Sequence, residues 1–312
     1  MPHVLVSNIM MLNERDRFDA ILRERGYTPI WPEVSQFMDE AQCLEHAGDI
    51  DGWLAGDDRI TRAVMDAALP RLKVISKWGT GIDSINLAAA KDLGLPVLNS
   101  PGAFAGAVGE CAIGYMLMLM RDLALIDRQI RAGNWPKPRG VSPKGRTLGV
   151  IGFGAIGRRI GELGAGMGME VIFSDPFMTD PIDLGPTTAT PHTALDLAAK
   201  ADVVALACSL TPDNHHLVNG DFLKAMKDDA YLINVARGPL VKEDDLITAL
   251  NAGKLAGAAL DVFETEPLPA DSPLRGFDNV ILGSHNCNNE VSAVEYVHQN
   301  TLDNLASVLK PT

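Results

Sequence analysis

Three side chains in the last quarter of the sequence are of the types that acid–base chemistry on a small carboxylic acid needs: Arg237, Glu266 and His285. The planar fork of an arginine holds a carboxylate through paired hydrogen bonds. An imidazole titrates near neutral pH and can give or take a hydroxyl proton. A carboxylate beside it fixes the ring and favours its protonated form. Taken singly, each also reads as an ordinary polar residue: a surface cation, a loop acid, a satisfied histidine at a strand end. Joint placement is what carries the chemistry. Each lies just beyond a candidate strand, in the runs Asn-Val-Ala-Arg-Gly at 234–238, Asp-Val-Phe-Glu-Thr-Glu-Pro at 261–267 and Gly-Ser-His-Asn at 283–286. In an open parallel sheet, that edge is where ligands bind.

A second cluster is suited to a dinucleotide. Gly152, Gly154 and Gly157, with Ala155 and Ile156 between the last two, form G-x-G-x-x-G directly after an apolar strand and at the start of a helical pattern. The first glycine permits a tight turn, the second lets backbone approach a pyrophosphate, and the third lets helix and strand pack closely. The helix N-terminus adds N–H donors and positive dipole. Asp175 stands at the end of the next strand, 21 residues beyond Gly154. There a carboxylate accepts from the ribose hydroxyls and repels a 2′-phosphate, so NAD is expected over NADP. The plain alternative is a Gly-rich turn and a turn-forming Asp before Pro176. Arg158 and Arg159 are expected on the solvated face of the helix.

The elements that must position these residues alternate strand and helix. Candidate strands fall at 3–7, 27–31, 50–55, 73–77 and 96–98, then at 147–151, 170–174, 202–208, 230–235, 257–262 and 279–282. Such alternation implies parallel α/β sheets, and six strands in the second block make a full dinucleotide-binding sheet. Asn13 is expected to cap a helix running to Gly26, Thr61 another, and a helix from Lys242 should end at Gly253. Segment 105–131 is strongly helical. Segment 291–309 places Val291, Val294, Thr301, Leu302, Leu305 and Val308 on one face. Both should bridge domains.

A length of 312 residues favours two domains at roughly 150 each. The expected fold is α/β with two doubly wound parallel-sheet domains: a Rossmann domain at 99–285 inserted into a flavodoxin-like substrate domain at 1–98 and 286–312. A cleft between them is the expected place for a substrate. The net charge of -13 argues against a nucleic-acid or anionic-membrane partner. The longest apolar run, 111–120, is far short of the roughly 20 residues that span a bilayer and reads as a buried helix. No secretory signal is apparent, so a cytoplasmic location is expected. Cys43, Cys111, Cys208 and Cys287 show no metal-ligand spacing, and no metal is expected.

These motifs together resemble the D-isomer-specific 2-hydroxyacid dehydrogenases, in the phosphoglycerate-dehydrogenase-like branch, over nearly the whole chain. The resemblance implies NAD-dependent hydride exchange between a 2-keto acid and a D-2-hydroxy acid, with Arg237, Glu266 and His285 as the catalytic set. It further implies that Asp261 meets the nicotinamide amide and that Ser209, Leu210, Thr211, Pro212 and the Ala236 backbone contact the cofactor. Lys77, Trp78, Gly79, Thr80 and Gly81 are similar to the loop whose backbone N–H groups hold the substrate carboxylate. A homodimer through the bridging helices is the family expectation, with Met116–Met120 as core or interface. No C-terminal regulatory domain is expected.

Some positions depart from the family. Trp78 replaces a small residue and either walls the pocket or packs into the first domain. Ser284 replaces a frequent proline, and Asn286, Cys287, Asn288 and Asn289 replace apolar and small residues. Lys77, Lys137, Arg139 and Lys144 either hold a distal phosphate or phosphonate, as on phosphohydroxypyruvate or phosphonopyruvate, or are simply solvated. Glyoxylate and hydroxypyruvate are the substrates without that group. The rival from another class is an NAD(H)-sensing binding protein of the same fold. Formate oxidation fits less well, because related formate enzymes carry glutamine in the role of Glu266.

Overall fold

The computed structural model describes residues 1–311, which form two compact units: 1–104 with 291 onward, and 105–290.

The first unit contains β1 (His3–Val6), α1 (Ile9–Leu12), α2 (Arg15–Glu24), β2 (Thr28–Ile30), α3 (Glu40–Ala47), β3 (Gly52–Ala55), α4 (Arg62–Ala68), β4 (Val74–Lys77), α5 (Leu87–Asp92) and β5 (Val97–Leu98). Its parallel sheet runs β2-β1-β3-β4-β5, the flavodoxin-like order. β3 and β4 are buried at every position, as strands covered on both faces must be. Thr61 caps α4 as expected, accepting from the Val64 N–H. Asn13 does not cap the long helix: Asn8, fully buried, accepts from the Met11 N–H and starts the short α1, and Asn13 ends it. α2 then begins after Glu14 with no side-chain cap.

The second unit contains α6 (Ala105–Met120), α7 (Leu123–Arg131), β6 (Thr147–Ile151), α8 (Ala155–Gly166), β7 (Glu170–Ser174), β8 (Ile182–Asp183), β9 (Thr188–Pro191), α9 (Ala194–Lys200), β10 (Val203–Leu206), α10 (Gly220–Ala225), β11 (Tyr231–Asn234), α11 (Glu243–Asn251), β12 (Gly257–Leu260) and β13 (Val280–Leu282). Strand order is β13-β12-β11-β10-β6-β7-β9-β8, parallel except for the β8–β9 hairpin. The six strands read from sequence are present, but the sheet has eight. β9 pairs with β7 and the two-residue β8 lies outside it; both are short with few buried residues, so their hydrophobic signal is weak. Helix 105–131 is two helices, because Asp122 adopts a left-handed backbone (φ 53°) between them. Gly253 follows α11 with φ 67°, the expected left-handed terminator.

α6 belongs to the second unit, packing on α8 and β11, with Ala112, Met116, Leu119 and Met120 buried and the rest of 111–120 only partly so. The last helix, α12 (Val291–Val308), belongs to the first unit and covers β3 and β4. Its buried face carries Val294, Val297, His298, Thr301, Leu302 and Leu305, while Val291 and Val308 are exposed. Val291 and Val308 sit at the helix ends, where the packed surface runs out. The compact units divide at 104/105 and 290/291, and hydrogen bonds tie the adjoining segments to the unit in which each falls. Ser100 N–H donates to Gly79 O, and Asn300 and Asn304 of α12 donate to Ser100 Oγ and Asn99 O. Asn286 and Cys287 donate their N–H groups to Asp261 at the end of β12. Among the described residues no helix is long and apolar enough to cross a membrane.

Candidate active site

Strand order in the second unit reverses between β6 and β10, and at such a switch point the diverging loops leave a crevice. Gly152 follows β6 with φ 85°, and a Cβ there would lie 2.5 Å from the Cys208 backbone after β10. The glycine loop and the 208–212 loop are therefore packed backbone to backbone. Gly157 is similarly forced, because a Cβ would overlap the Gly152 carbonyl. Gly154 is exposed, with open space around it, and begins α8, so unpaired N–H groups of the first helical turn face solvent beside it. A pyrophosphate fits this cradle. Ala155 and Ile156 form that first turn.

Asp175, one residue past β7, accepts from Phe153 N–H at 2.7 Å and Phe177 N–H at 2.8 Å. The two bonds fix the carboxylate against the glycine loop and leave lone pairs for ribose hydroxyls. Across the switch point, Thr211 N–H donates to Asn214 Oδ1 and Asn214 Nδ2 to Ser209 O, tying Ser209, Leu210, Thr211 and Pro212 into a closed turn. Arg158 is exposed and Arg159 pairs with Glu110 and Glu162, so both lie on the helix surface.

β11, β12 and β13 are adjacent, and Arg237, Glu266 and His285 follow them in that order. The structure thus places all three beyond one sheet edge. His285 Nδ1 lies 2.8 Å from Glu266 Oε2, while Glu266 Oε1 accepts from Phe263 N–H at 3.0 Å. With a carboxylate at Nδ1, the ring carries its proton there and presents Nε2 as the exchangeable site. His285 is left-handed, with φ 55°, unusual outside glycine. Asp261 holds it so: its carbonyl accepts His285 N–H at 2.7 Å and its carboxylate accepts the next two N–H groups. Arg237 Nη1 donates to Ala236 O at 2.8 Å, which limits how the guanidinium can turn. Asn234 is the residue of this motif whose role only the fold reveals. Fully buried, it donates to Arg237 O and accepts from Ala236 N–H, setting the turn that carries the arginine. Its signal was a polar residue inside an apolar strand.

In the first unit, loop 77–81 is fastened at several points. Lys77 is buried, its ammonium 3.0 Å from Asp57 and 2.9 Å from Trp78 O, which makes it a strut of the loop. Thr80 Oγ1 donates to Ser100 O, and Asn99 donates to Thr80 O. The N–H groups of Gly79, Thr80 and Gly81 donate to no protein acceptor among the described residues. Trp78 is 7% exposed and packs against Phe104 and His298 within this unit. Lys137, Arg139 and Lys144 are exposed residues of the other unit.

Trp78 Nε1–H donates to His298 Nδ1 at 3.1 Å. An indole only donates, so Nδ1 is the bare nitrogen and Nε2 carries the proton. Glu14, Glu295 and this Nε2 lie close enough to suggest a metal site, yet a metal on Nε2 needs Nδ1–H, which Trp78 cannot accept. Arg17 bridges the two carboxylates instead. Burial lowers the His298 pKa below its ordinary 6.5. The unfolded chain therefore binds a proton that the folded one refuses, and stability is lost as pH falls below about 6.5 toward the folded value. Melting curves of wild type and His298→Gln from pH 7.5 to 5 should show the gap between them shrinking on acidification. A constant gap would refute the lowered pKa of His298.

A dinucleotide cradle beside an arginine and a carboxylate-held histidine defines an NAD-dependent oxidoreductase acting on CH–OH groups. The sequence pattern of the D-isomer specific 2-hydroxyacid dehydrogenase NAD binding domain matches residues 113–287, and the chain belongs to that family. It is 39% identical to a glyoxylate reductase of Thermofilum pendens, over 81% of this chain and 76% of that protein. It is 35% identical to a D-3-phosphoglycerate dehydrogenase of Methanocaldococcus jannaschii, over 81% of this chain and 48% of the relative. Among solved structures, an NAD-dependent formate dehydrogenase from Staphylococcus aureus in complex with NAD superposes with a TM-score of 0.85 at 26% identity, covering 97% of this chain and 94% of that one.

Proposed function

We propose that the chain reduces a small 2-keto acid of the glyoxylate or hydroxypyruvate type to the D-2-hydroxy acid, with Arg237, Glu266 and His285 as its catalytic set. The observation that carries this reading is the 2.8 Å His285–Glu266 pair on the strand end next to that of Arg237. NADH, when bound, supplies the hydride. Arg237 grips the carboxylate and polarises the keto oxygen, and His285 delivers its proton from Nε2 while Glu266 takes up the charge change at Nδ1. The unsatisfied N–H groups of the 79–81 loop are donors of the kind a carboxylate accepts. A homodimer in the cytoplasm goes with this reading.

The relatives named phosphoglycerate dehydrogenases favour a second substrate, phosphohydroxypyruvate. The engaged ammonium of Lys77 speaks for the smaller acids, because it is already matched by Asp57. NADH oxidation with glyoxylate, pyruvate, hydroxypyruvate, phosphohydroxypyruvate and phosphonopyruvate, repeated with NADPH, tests both. The expected result is a higher kcat/KM for hydroxypyruvate than for its phosphate ester, and for NADH than for NADPH. No turnover with any acid while NADH binds tightly would instead favour the NAD(H)-sensing alternative.

A further inference from the structure

The Asp261 carboxylate has three donors, and one of them belongs to no motif. It is 2% exposed. Oδ1 accepts from Asn286 N–H at 3.2 Å and from the Tyr115 hydroxyl at 3.1 Å, and Oδ2 accepts from Cys287 N–H at 3.0 Å. The Cys287 thiol faces the same carboxylate, but a thiol is a weak donor that an amide N–H displaces. Three of about four lone-pair sites are thus filled by strong protein donors, and the remaining one lies on Oδ2.

Tyr115 reaches this carboxylate from the middle of α6, across from the strand that carries Asp261. The space between is closed by design of the chain: a Cβ on Gly283 would collide with Asp261 Oδ1 and lie 2.5 Å from the Tyr115 hydroxyl. Burial, followed by the charge of Asp261, pushes the Tyr115 phenol pKa up, so the hydroxyl stays protonated and acts as a donor. The backbone N–H groups of the 286–287 turn hold one oxygen each, that of Asn286 at a long 3.2 Å, and the Tyr115 hydroxyl is a second donor on Oδ1 that tightens the orientation of the carboxylate.

We propose that Tyr115 is a positioning residue for the nicotinamide end of the cofactor, its hydroxyl locking the Asp261 carboxylate so that Oδ2 is aimed at a carboxamide N–H. The inference rests on Asp261 as the amide contact of the proposed function. Its test is binding without substrate, which separates it from any failure of the proposed reaction. NADH and its 3-acetylpyridine analogue, whose acetyl group has no N–H to donate, are titrated by fluorescence or calorimetry into wild type and Tyr115→Phe. The variant is expected to bind NADH roughly five- to tenfold more weakly, the net scale of one ordinary hydrogen bond, and to bind the analogue as wild type does. Equal losses for both cofactors would mean general loosening and would overturn the proposal, as would unchanged NADH binding. Wild type that fails to discriminate the two cofactors would overturn it as well, because Asp261 would then not meet the amide.

Discussion

His285→Asn is expected to lower kcat by about 10²–10⁴-fold, the usual contribution of a positioned general acid, while NADH binding stays near wild type. Asparagine is the informative replacement. His285 sits at φ 55°, where asparagine is tolerated better than alanine, so the turn anchored on Asp261 should survive. An amide can still donate to Glu266, yet it has no titratable nitrogen in the place of Nε2 from which to deliver a proton. Steady-state rates at saturating keto acid, beside an NADH titration, make the comparison. A variant with near wild-type kcat would remove His285 from the chemistry.

Arg237→Lys should be nearly as damaging, although it keeps the charge. A guanidinium can donate to Ala236 O and still offer a planar pair of N–H groups to a carboxylate. An ammonium that reaches either partner offers no such fork. Truncating one side of a desolvated pair costs about 2–5 kcal/mol, so kcat/KM should fall on the order of 10²–10³-fold. Asn234 fixes the turn through main-chain groups, so the variant should keep the wild-type melting temperature and NADH affinity. A kcat/KM within a factor of about three would show that Arg237 does not grip the substrate.

Much of this site is visible in the sequence because its parts are short runs tied to strand ends. Gly152 to Gly157, Asp175, Arg237, Glu266 and His285 each follow an apolar strand, and strand ends are the positions that alternation of pattern marks best. Features that depend on distant neighbours were hidden. Tyr115 looks like one more large residue of an apolar helix, and only the folded chain puts its hydroxyl on Asp261, 146 residues away. Trp78 gives no sign in the sequence that His298, 220 residues on, is its acceptor. Asn8 and Asn13 are alike as caps, and burial against β3 chose Asn8, whose Nδ2 donates to Leu54 O. The break at Asp122 and the strand β9 escaped because the first has no Gly or Pro to mark it and the second has a single buried residue.

The way α12 completes the first unit has a consequence for the order of synthesis. Ser76 donates to Thr301 O, Leu305 fills the space left by Gly52, and Tyr27 donates to Leu309 O. On the ribosome, the partners from β2 to β4 emerge first and then wait for 186 residues of the second unit, 105–290, to be made. Until then, the face of β3 and β4 that α12 packs on lacks that cover and is open to water and to other chains. The second unit, whose elements are contiguous, can fold as it leaves the tunnel. The cofactor fold is therefore made before the first sheet is finished, and the emergence of α12 is the event that completes that sheet.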